Sequence, residues 1–277
     1  MNLVVTGSKG LIGRHTVEYA KTQPGIDVFG VDHIGVGSGP DQYRMADLTD
    51  LGQTYSALAG ADAVVHLAAI PDHDLVEEPK LFMSNIASTY NVFEAARNLG
   101  IKRVVWASSI QVNRTVVMQH DTRYQYLPID EAHPVDPQND YALSKYVGEV
   151  MAETYAKTYG LSVISLRFTA ITHADNMKDW PWPRAEAPHW AMYAYADVRD
   201  AARACFLAAT AELPPYSHHV AFIVAKDTLV ATPSAEIATS FFPDAEVRGA
   251  LAGNASLVSN ATAKRLFGFE AQYSCRK

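Results

Sequence analysis

A chain of 277 residues is long enough for one large α/β domain, or for a main domain with a smaller appendage. Hydrophobic residues make up 48% of it and charged residues 19%, a composition typical of folded globular proteins and not of disordered ones. The net charge is −7 and no run of basic residues occurs, which disfavours binding to nucleic acids or to anionic membranes.

Several simple signals bear on location and on cofactor class. No apolar stretch reaches the roughly 18 residues of a membrane span. A predicted strand starts near Asn2, so we expect no signal peptide. Cys205 and Cys275 do not make a disulfide framework. The histidines lack metal-type spacing with carboxylates or cysteines, so we predict no bound metal. We expect a cytoplasmic protein.

The first 168 residues alternate short β-branched runs with longer helical patterns, which predicts a parallel sheet covered by helices. Such strands are buried on both faces and are therefore almost continuously apolar. Runs of this kind predict strands at residues 3–5, 28–31, 63–67, 103–107 and 162–167.

Helical patterns are clearest over residues 81–99 and 141–159. Four large apolar side chains of the first recur at helical spacing and are predicted to face the sheet: Phe82, Ile86, Tyr90 and Phe93.

After Phe168 the pattern changes. Residues 172–196 hold three tryptophans and predict a long irregular segment. The remaining predicted elements are a helix at 198–210, a strand near 220–224, a short helix after an N-cap at Thr232 with Pro233 in its first turn, and a helix at 261–267 that ends at Gly268.

These elements predict an α/β fold of the Rossmann type, a doubly wound parallel sheet with a small C-terminal part. We expect a nucleotide-binding domain over residues 1–168 and a small, partly interwoven substrate-binding region over residues 169–277.

A glycine-rich turn joins the first strand to the first helix. Gly7 suits a tight turn, Gly10 lets the backbone approach a pyrophosphate, and Gly13 lets the helix pack close to the strand. The helix N-terminus that follows presents free N–H groups to phosphates. Asp32 closes the second strand, where an acid accepts hydrogen bonds from the adenosine ribose and repels a 2′-phosphate. The pattern predicts NAD and not NADP.

Thr6 and the three glycines resemble the TGxxGxxG signature of the extended short-chain dehydrogenases, the NAD-dependent epimerase/dehydratase family. Three further segments resemble segments of this family and occur in the same order: the pair at 47–48, the H-x-A-A segment at 66–69 and the closing segment at 263–269. The resemblance implies these NAD-binding residues: Gly7, Lys9, Gly10, Leu11, Ile12, Gly13, Asp32, Asp47, Leu48, Leu67, Ala68, Ala69, Asn85, Tyr141, Lys145 and Phe168.

Tyr141 and Lys145 match the family's Y-x-x-x-K pattern, and residues four apart lie on one helical face. A free tyrosine has a pKa near 10 and is a poor base at neutral pH, but a nearby ammonium and the nicotinamide charge favour its phenolate. The resemblance implies that Ser109, three residues before Val112, completes a catalytic triad, with Ser108 as the alternative.

The chain also departs from the family. The segment after Arg167 lacks the asparagine and the Tyr-Gly-Pro that many members carry, and a short C-terminal part favours a small substrate, such as a free sugar or sugar acid, as in the uronate dehydrogenase-like branch. Ile110 and Gln111 follow Ser109 where sugar-nucleotide dehydratases carry an Asp-Glu pair, which disfavours dehydration.

The predicted substrate-binding residues are Ser109, Gln111, Asn113 and Lys178, with Arg184 as an alternative to the lysine. Four aromatic residues are candidates either for a lid that stacks on a sugar or for plain packing of a long loop: Trp180, Trp182, Trp190 and Tyr193.

The function predicted from these residues is an NAD-dependent oxidoreductase that transfers a hydride to or from a hydroxyl-bearing carbon of a sugar, sugar acid or sugar derivative. One alternative is a sugar or nucleotide-sugar epimerase with no net redox change, and another is a non-catalytic NAD(P)-sensing protein. The resemblance further implies a homodimer formed through the helices near residues 81–99 and 141–159.

Overall fold

The computed structural model describes residues 1–34, 42–71, 75–113, 123–173, 181–182, 184–186 and 191–276. Within these residues the chain forms eleven strands: β1 (Asn2–Thr6), β2 (Asp27–Asp32), β3 (Tyr43–Met45), β4 (Ala63–His66), β5 (Arg103–Ser109), β6 (Tyr126–Leu127), β7 (Ser162–Phe168), β8 (Ala170–Thr172), β9 (Tyr195–Asp197), β10 (Ser217–Ile223) and β11 (Glu246–Val247).

The same residues form seven α-helices and one short 3₁₀ turn at Ile110–Val112. The helices are α1 (Leu11–Lys21), α2 (Leu51–Leu58), α3 (Glu78–Leu99), α4 (Asp140–Tyr159), α5 (Val198–Thr210), α6 (Ser234–Phe241) and α7 (Ala261–Phe267). In the described part of the chain, no helix is both long and apolar enough to cross a membrane.

A seven-stranded parallel sheet in the order β3-β2-β1-β4-β5-β7-β10 lies at the centre of the fold. One face packs against α1, α5 and α7, and the other against α2, α3 and α4. Alternate residues of each strand enter the two cores, as Val5 and Val4 of β1 do, so both must be apolar. The predicted Rossmann-type fold is confirmed.

The order of the strands reverses between β1 and β4, which are neighbours in the sheet although two strands separate them in the chain. In doubly wound folds the ligand binds in the crevice outside the carboxyl ends of the strands at this switch point. The glycine-rich turn leaves β1 at that edge, and β5 and β7 end there with Ser109 and Phe168 in register.

The structure corrects some details of the prediction. Strand β3 and helix α2 were not predicted, because three residues at a sheet edge and a short helix with polar positions leave no clear periodicity. Of the four residues predicted to face the sheet, Phe93 is buried, but Tyr90 is 46% exposed. The buried stripe of α3 instead includes Leu81, Asn85 and Val92, because the helix packs on α4 as well as on the sheet.

The predicted N-cap at Thr232 is also wrong. Its hydroxyl accepts a hydrogen bond from the Ala185 N–H at 2.8 Å, and Pro233 occupies the N-cap position of α6. Two elements that follow residue 168 are part of the central α/β fold. Strand β10 pairs with β7 in the sheet, and helix α5 packs on α1 in one of the helix layers. The division of the chain at residue 168 stays a prediction.

Candidate active site

The backbone of the glycine-rich turn requires glycine at two positions. Gly7 has a φ of +66°, and a β-carbon there would lie 2.7 Å from the Ala68 nitrogen. A β-carbon on Gly13 would lie 2.1 Å from the Gly7 carbonyl oxygen. Both distances are far below van der Waals contact, so a side chain at either position would displace the turn from β4 or from α1.

The turn delivers the chain to the start of α1, with Gly10 as N-cap and no side-chain hydrogen bond at that cap. Leu11 and Ile12 form the first helical turn, where N–H groups have no intrahelical acceptor and the helix dipole favours an anion. Lys9 is exposed beside the turn, with its ammonium 4.8 Å from the centre of the Tyr43 ring. This geometry fits the pyrophosphate of a dinucleotide.

Asp32 is buried at the end of β2 and is held on both carboxylate oxygens. Its Oδ2 accepts a hydrogen bond from the Lys9 N–H, and its Oδ1 accepts one from the His33 N–H, each at 2.9 Å. The carboxylate is thereby fixed against the glycine-rich turn. Its remaining lone pairs can accept hydrogen bonds from ribose hydroxyls.

The pair at residues 47–48 follows β3. The exposed Asp47 carboxylate accepts hydrogen bonds from the Thr49 hydroxyl at 2.7 Å and from its N–H at 2.9 Å, which lowers the pKa of Asp47. The Asp47 N–H donates to Gln53, while the buried Leu48 accepts a hydrogen bond from Asn91 on its carbonyl. These bonds set the position of Asp47 and Leu48, which the family resemblance predicts to bind NAD.

Leu67, Ala68 and Ala69 follow β4 and are half-buried beside the turn. The Thr6 hydroxyl accepts a hydrogen bond from the Ala68 N–H at 3.3 Å and lies 2.7 Å from Nδ1 of His66. Burial, with a smaller contribution from the nearby Lys145 charge, lowers the pKa of His66 to about 3, so this ring is neutral. The end of β4 is therefore tied to β1 by neutral hydrogen bonds.

Asn85 connects the segment after β4 to α4. Its side-chain oxygen accepts a hydrogen bond from the Ile70 N–H at 2.8 Å, and its nitrogen donates to the Ile70 carbonyl at 3.0 Å and to the Ser144 hydroxyl at 3.4 Å. The Ser144 hydroxyl in turn donates to the Tyr141 carbonyl. These bonds hold the segment after β4 against α3 and α4, and the role of Asn85 in NAD binding stays a prediction.

The predicted catalytic tyrosine and lysine lie together. Tyr141 is in the first turn of α4, whose N-terminus is capped by Asn139, since this side chain accepts a hydrogen bond from the Ala142 N–H at 2.8 Å. The buried Lys145 ammonium donates to the Ala107 carbonyl of β5 at 2.9 Å and lies 5.5 Å from the centre of the Tyr141 ring. The positive charge is thus next to the phenol and is anchored on β5.

The two serines at the end of β5 differ in their hydrogen bonds. The Ser109 hydroxyl accepts a hydrogen bond from the Gln111 N–H at 3.1 Å, which leaves its own proton to donate. The Ser108 hydroxyl is 2.6 Å from Oε1 of Glu149, to which it donates, and is therefore committed to the protein interior. This difference favours Ser109 over Ser108 as the catalytic serine. Phe168 lies opposite Ser109 on β7.

Burial lowers the pKa of Lys145 from 10.5 to about 8. Between pH 8 and pH 10.5, Lys145 is protonated in the unfolded chain and neutral in the folded chain. Lys145 therefore makes the free energy of unfolding rise with pH over this range. Below pH 8 the buried charge opposes folding by roughly 3 kcal/mol. We expect Lys145→Met to unfold at a higher denaturant concentration than the wild type at pH 7, with a gap that narrows from pH 8 to pH 10.5. Urea unfolding without NAD measures this gap, and a gap that widens with pH would contradict it.

Two of the predicted substrate-binding residues, Gln111 and Asn113, differ in burial. Gln111 is half-buried in the turn after Ser109, but Asn113 is fully buried. The Asn113 side-chain oxygen accepts a hydrogen bond from Arg167 at 3.2 Å, and its nitrogen donates to the carbonyls of His133 and Pro134. Its amide therefore serves protein groups, and the sequence-based expectation of a substrate contact there is not supported.

Some of the other candidate substrate residues lie outside the part of the chain that the structure describes. Lys178, Trp180 and Trp190 lie outside the described residues. Trp182 is partly exposed and meets Tyr193 edge to face, with ring centres 6.4 Å apart, which is a packing contact. Among the residues that the structure describes, no three metal-binding side chains form a cluster.

Sequence reasoning missed Glu149 and Arg167, which form a buried ion pair at 2.8 Å beside the site. A signal was present, since Glu149 stands four residues after Lys145 and thus on the same face of α4.

A family profile described as the NAD dependent epimerase/dehydratase family matches residues 3–174. Among characterised proteins, the chain is 34% identical over 182 residues to the L-arabinose 1-dehydrogenase (NAD(P)(+)) of Haloferax volcanii, covering 64% of this chain and 70% of that protein. It is 30% identical over 168 residues to the uronate dehydrogenase of Pseudomonas putida, covering 60% of this chain and 59% of the relative.

Among solved structures, a short-chain dehydrogenase/reductase superfamily protein from Agrobacterium tumefaciens with bound NAD superposes with a TM-score of 0.76. The match covers 99% of this chain and 94% of the other at 22% identity, and it establishes the common fold.

Proposed function

Because this chain belongs to the NAD dependent epimerase/dehydratase family, whose description names the predicted cofactor, we propose that it is an NAD-dependent oxidoreductase acting on a sugar, sugar acid or sugar derivative. The reaction is hydride transfer to or from a hydroxyl-bearing carbon. The single observation that carries the proposal is the buried Lys145 ammonium beside the Tyr141 ring, at the sheet edge where the glycine-rich turn begins.

The residues present fit NAD. Gly7 and Gly13 keep the turn free of side chains, and the N-terminus of α1 faces the same edge of the sheet as the ends of β2 and β5. Asp32 would hold the adenosine ribose, and Lys145 would hold the nicotinamide ribose. Bound NAD supplies the acceptor for the hydride.

In the oxidative direction, Tyr141 as phenolate takes the proton of the substrate hydroxyl, while a hydride leaves the carbon that bears this hydroxyl. Lys145 has a pKa of about 8 and is mainly an ammonium at pH 7, and its charge favours the phenolate. Ser109 donates its free proton to the substrate oxygen and orients it toward Tyr141. The reverse reaction uses the same groups with the proton returned.

The substrate class is supported by two observations. Both reported relatives are named for the oxidation of small sugars, an aldose and a uronate. The segment after Arg167 also lacks the asparagine and the Tyr-Gly-Pro of many family members, and Ala170 stands at the position of that asparagine.

A substrate panel separates the proposed dehydrogenase from an epimerase, which the family description also allows. Aldoses, uronic acids and nucleotide sugars would each be incubated with NAD while absorbance at the NADH band is followed. We expect NADH to accumulate with at least one free sugar or sugar acid. A sugar that is interconverted on chromatography without NADH would identify an epimerase. No NADH and no new sugar throughout would favour an NAD(P)-sensing protein and sink the proposal.

Asp32 gives a prediction about cofactor choice. The relative from Haloferax volcanii is named for both NAD and NADP, whereas a fixed carboxylate here would repel a 2′-phosphate. We expect Asp32→Ala to weaken NAD binding about tenfold, because the acceptor for the ribose hydroxyls is lost, and to improve the NADP-to-NAD ratio of kcat/KM. Steady-state kinetics with both cofactors measure this ratio, and a ratio equal to that of the wild type would refute the assignment.

We also propose a homodimer. Apolar side chains are exposed on neighbouring positions of α3 and α4, among them Met83, Tyr90, Tyr146 and Val150. A second copy could cover both helices at once. Light scattering coupled to gel filtration should give twice the chain mass of 30.3 kDa for the wild type. The double variant Tyr90→Glu/Val150→Glu should give the mass of one chain. A wild-type monomer would end this proposal. The cytoplasmic location stays a prediction.

A further inference from the structure

A buried ion pair lies behind the candidate catalytic residues. Arg167 of β7 donates from Nε to Oε1 of Glu149 and from Nη2 to Oε2, each at 2.8 Å. Both side chains are buried, at 4% and 7% exposure. The geometry is a two-bond fork, which fixes the orientation of both groups as well as their distance.

The pair extends to other segments through two further bonds. Oε1 of Glu149 also accepts the proton of Ser108 at 2.6 Å, which ties α4 to β5. Nη1 of Arg167 donates to Asn113 at 3.2 Å, and Asn113 holds the His133 and Pro134 carbonyls of the segment that leads into α4. Four separate parts of the chain therefore meet at one buried carboxylate and one guanidinium.

Two of these parts, β5 and α4, also carry candidate catalytic residues. Ser108 directly precedes Ser109, and Glu149 is one helical turn beyond Lys145 on the same face of α4. The Lys145 ammonium bonds to Ala107, the residue just before Ser108. The β5-to-α4 connection thus has two tethers, one from Lys145 and one from Glu149.

Fold stability alone is a weak reason for such a pair. Replacing a buried ion pair by apolar residues of similar volume is often neutral or stabilising, because two charges must be removed from water. Position is a stronger reason, since a misplacement of about 1 Å between reacting groups can lower a rate about 100-fold.

We propose that Glu149 and Arg167 are positioning residues that, through Ser108, hold the end of β5 against α4 so that Ser109 and Lys145 keep their relative placement. This inference rests on the proposed function for its kinetic consequence. Its structural consequence, a Lys145 side chain that stays anchored and protected, is independent of any substrate.

Ser108→Ala is the sharpest test because it removes one tether and leaves the ion pair complete. We expect kcat to fall at least about tenfold, with KM for NAD changed less than about twofold and the melting temperature nearly unchanged. Lys145 should also react faster with an amine-acylating reagent, as measured by mass spectrometry without substrate. The matched control is Ser162→Ala, a buried serine at the opposite end of β7 whose hydroxyl bonds to the Pro214 carbonyl.

Glu149→Gln should lower kcat further than Ser108→Ala does. Arg167→Lys keeps the charge but loses the fork, and it should lower kcat less than Arg167→Met does. Adding Ser108→Ala to Glu149→Gln should cause little extra loss, because both act through one tether. If Glu149→Gln does not fold, Ser108→Ala decides. Unchanged Lys145 acylation in Ser108→Ala overturns the inference even if no sugar is turned over, and so does unchanged kcat in an active enzyme. A wild type inactive on every sugar counts against the proposed function alone.

Discussion

Tyr141→Phe will lower kcat by about 10²- to 10⁴-fold while NAD binds almost as in the wild type. The substitution removes only the phenolic oxygen, which is the group proposed to take the substrate proton. The ring can keep its place in the first turn of α4, because Asn139 caps the helix through the backbone. Steady-state rates with the best substrate of the panel, together with a direct titration of NAD, measure the two quantities separately.

Tyr146→Phe is the matched control for this variant. Tyr146 lies five residues further along α4, is partly exposed, and should keep full activity when its hydroxyl is removed. A Tyr141→Phe enzyme that retains wild-type kcat would contradict the proposed mechanism. Loss of NAD binding in the same variant would show that the phenol supports cofactor binding instead of proton transfer.

Gly13→Ala will weaken NAD binding by at least about tenfold and will lower the free energy of unfolding by about 1–3 kcal/mol. The added carbon would meet the Gly7 carbonyl oxygen at 2.1 Å, so α1 or the turn must move. Either shift displaces the N–H groups at the start of α1 from the phosphates. Calorimetric titration of NAD and urea unfolding of the free protein give the two values.

Gly52→Ala provides the comparison. Gly52 is in the first turn of α2, and the nearest neighbour of a β-carbon there is Oδ1 of the exposed Asp50 side chain at 3.3 Å, a contact that a small shift relieves. Alanine is the better helix former, so this variant should keep both NAD affinity and stability. Equal behaviour of the two variants would mean that the close contact at Gly13 does not shape the nucleotide site.

The core of the fold was predictable because its signals are local. The predicted helices at 198–210 and 261–267 coincide with α5 and α7, since apolar periodicity and, for α7, a left-handed Gly268 mark their ends. The glycine-rich turn was predictable for a similar reason. Its spacing reflects contacts within one strand–turn–helix unit, and the structure shows the close approaches that demand glycine at Gly7 and Gly13.

The parts that sequence did not reveal depend on partners far along the chain. The predicted strand at 103–107 stops before Ser108 because serine breaks an apolar run. The observed β5 continues to Ser109 because it stays paired with β7, and Glu149 satisfies the buried Ser108 hydroxyl. Asn113 was expected to face a substrate, but Arg167 and two carbonyls 20 and 21 residues away occupy its amide. Such pairings leave no periodic trace in the sequence.

The central claim, hydride transfer between a sugar carbon and NAD, can be tested by following the hydride itself. A substrate from the panel would carry deuterium on the carbon whose hydroxyl is oxidised, and the NADH formed would be weighed by mass spectrometry. We predict one deuterium at the nicotinamide ring for each sugar that the wild-type enzyme oxidises, and the same labelled NADH formed at least about 100-fold more slowly with Tyr141→Phe. NADH without deuterium, or oxidised sugar without NADH, would contradict the account.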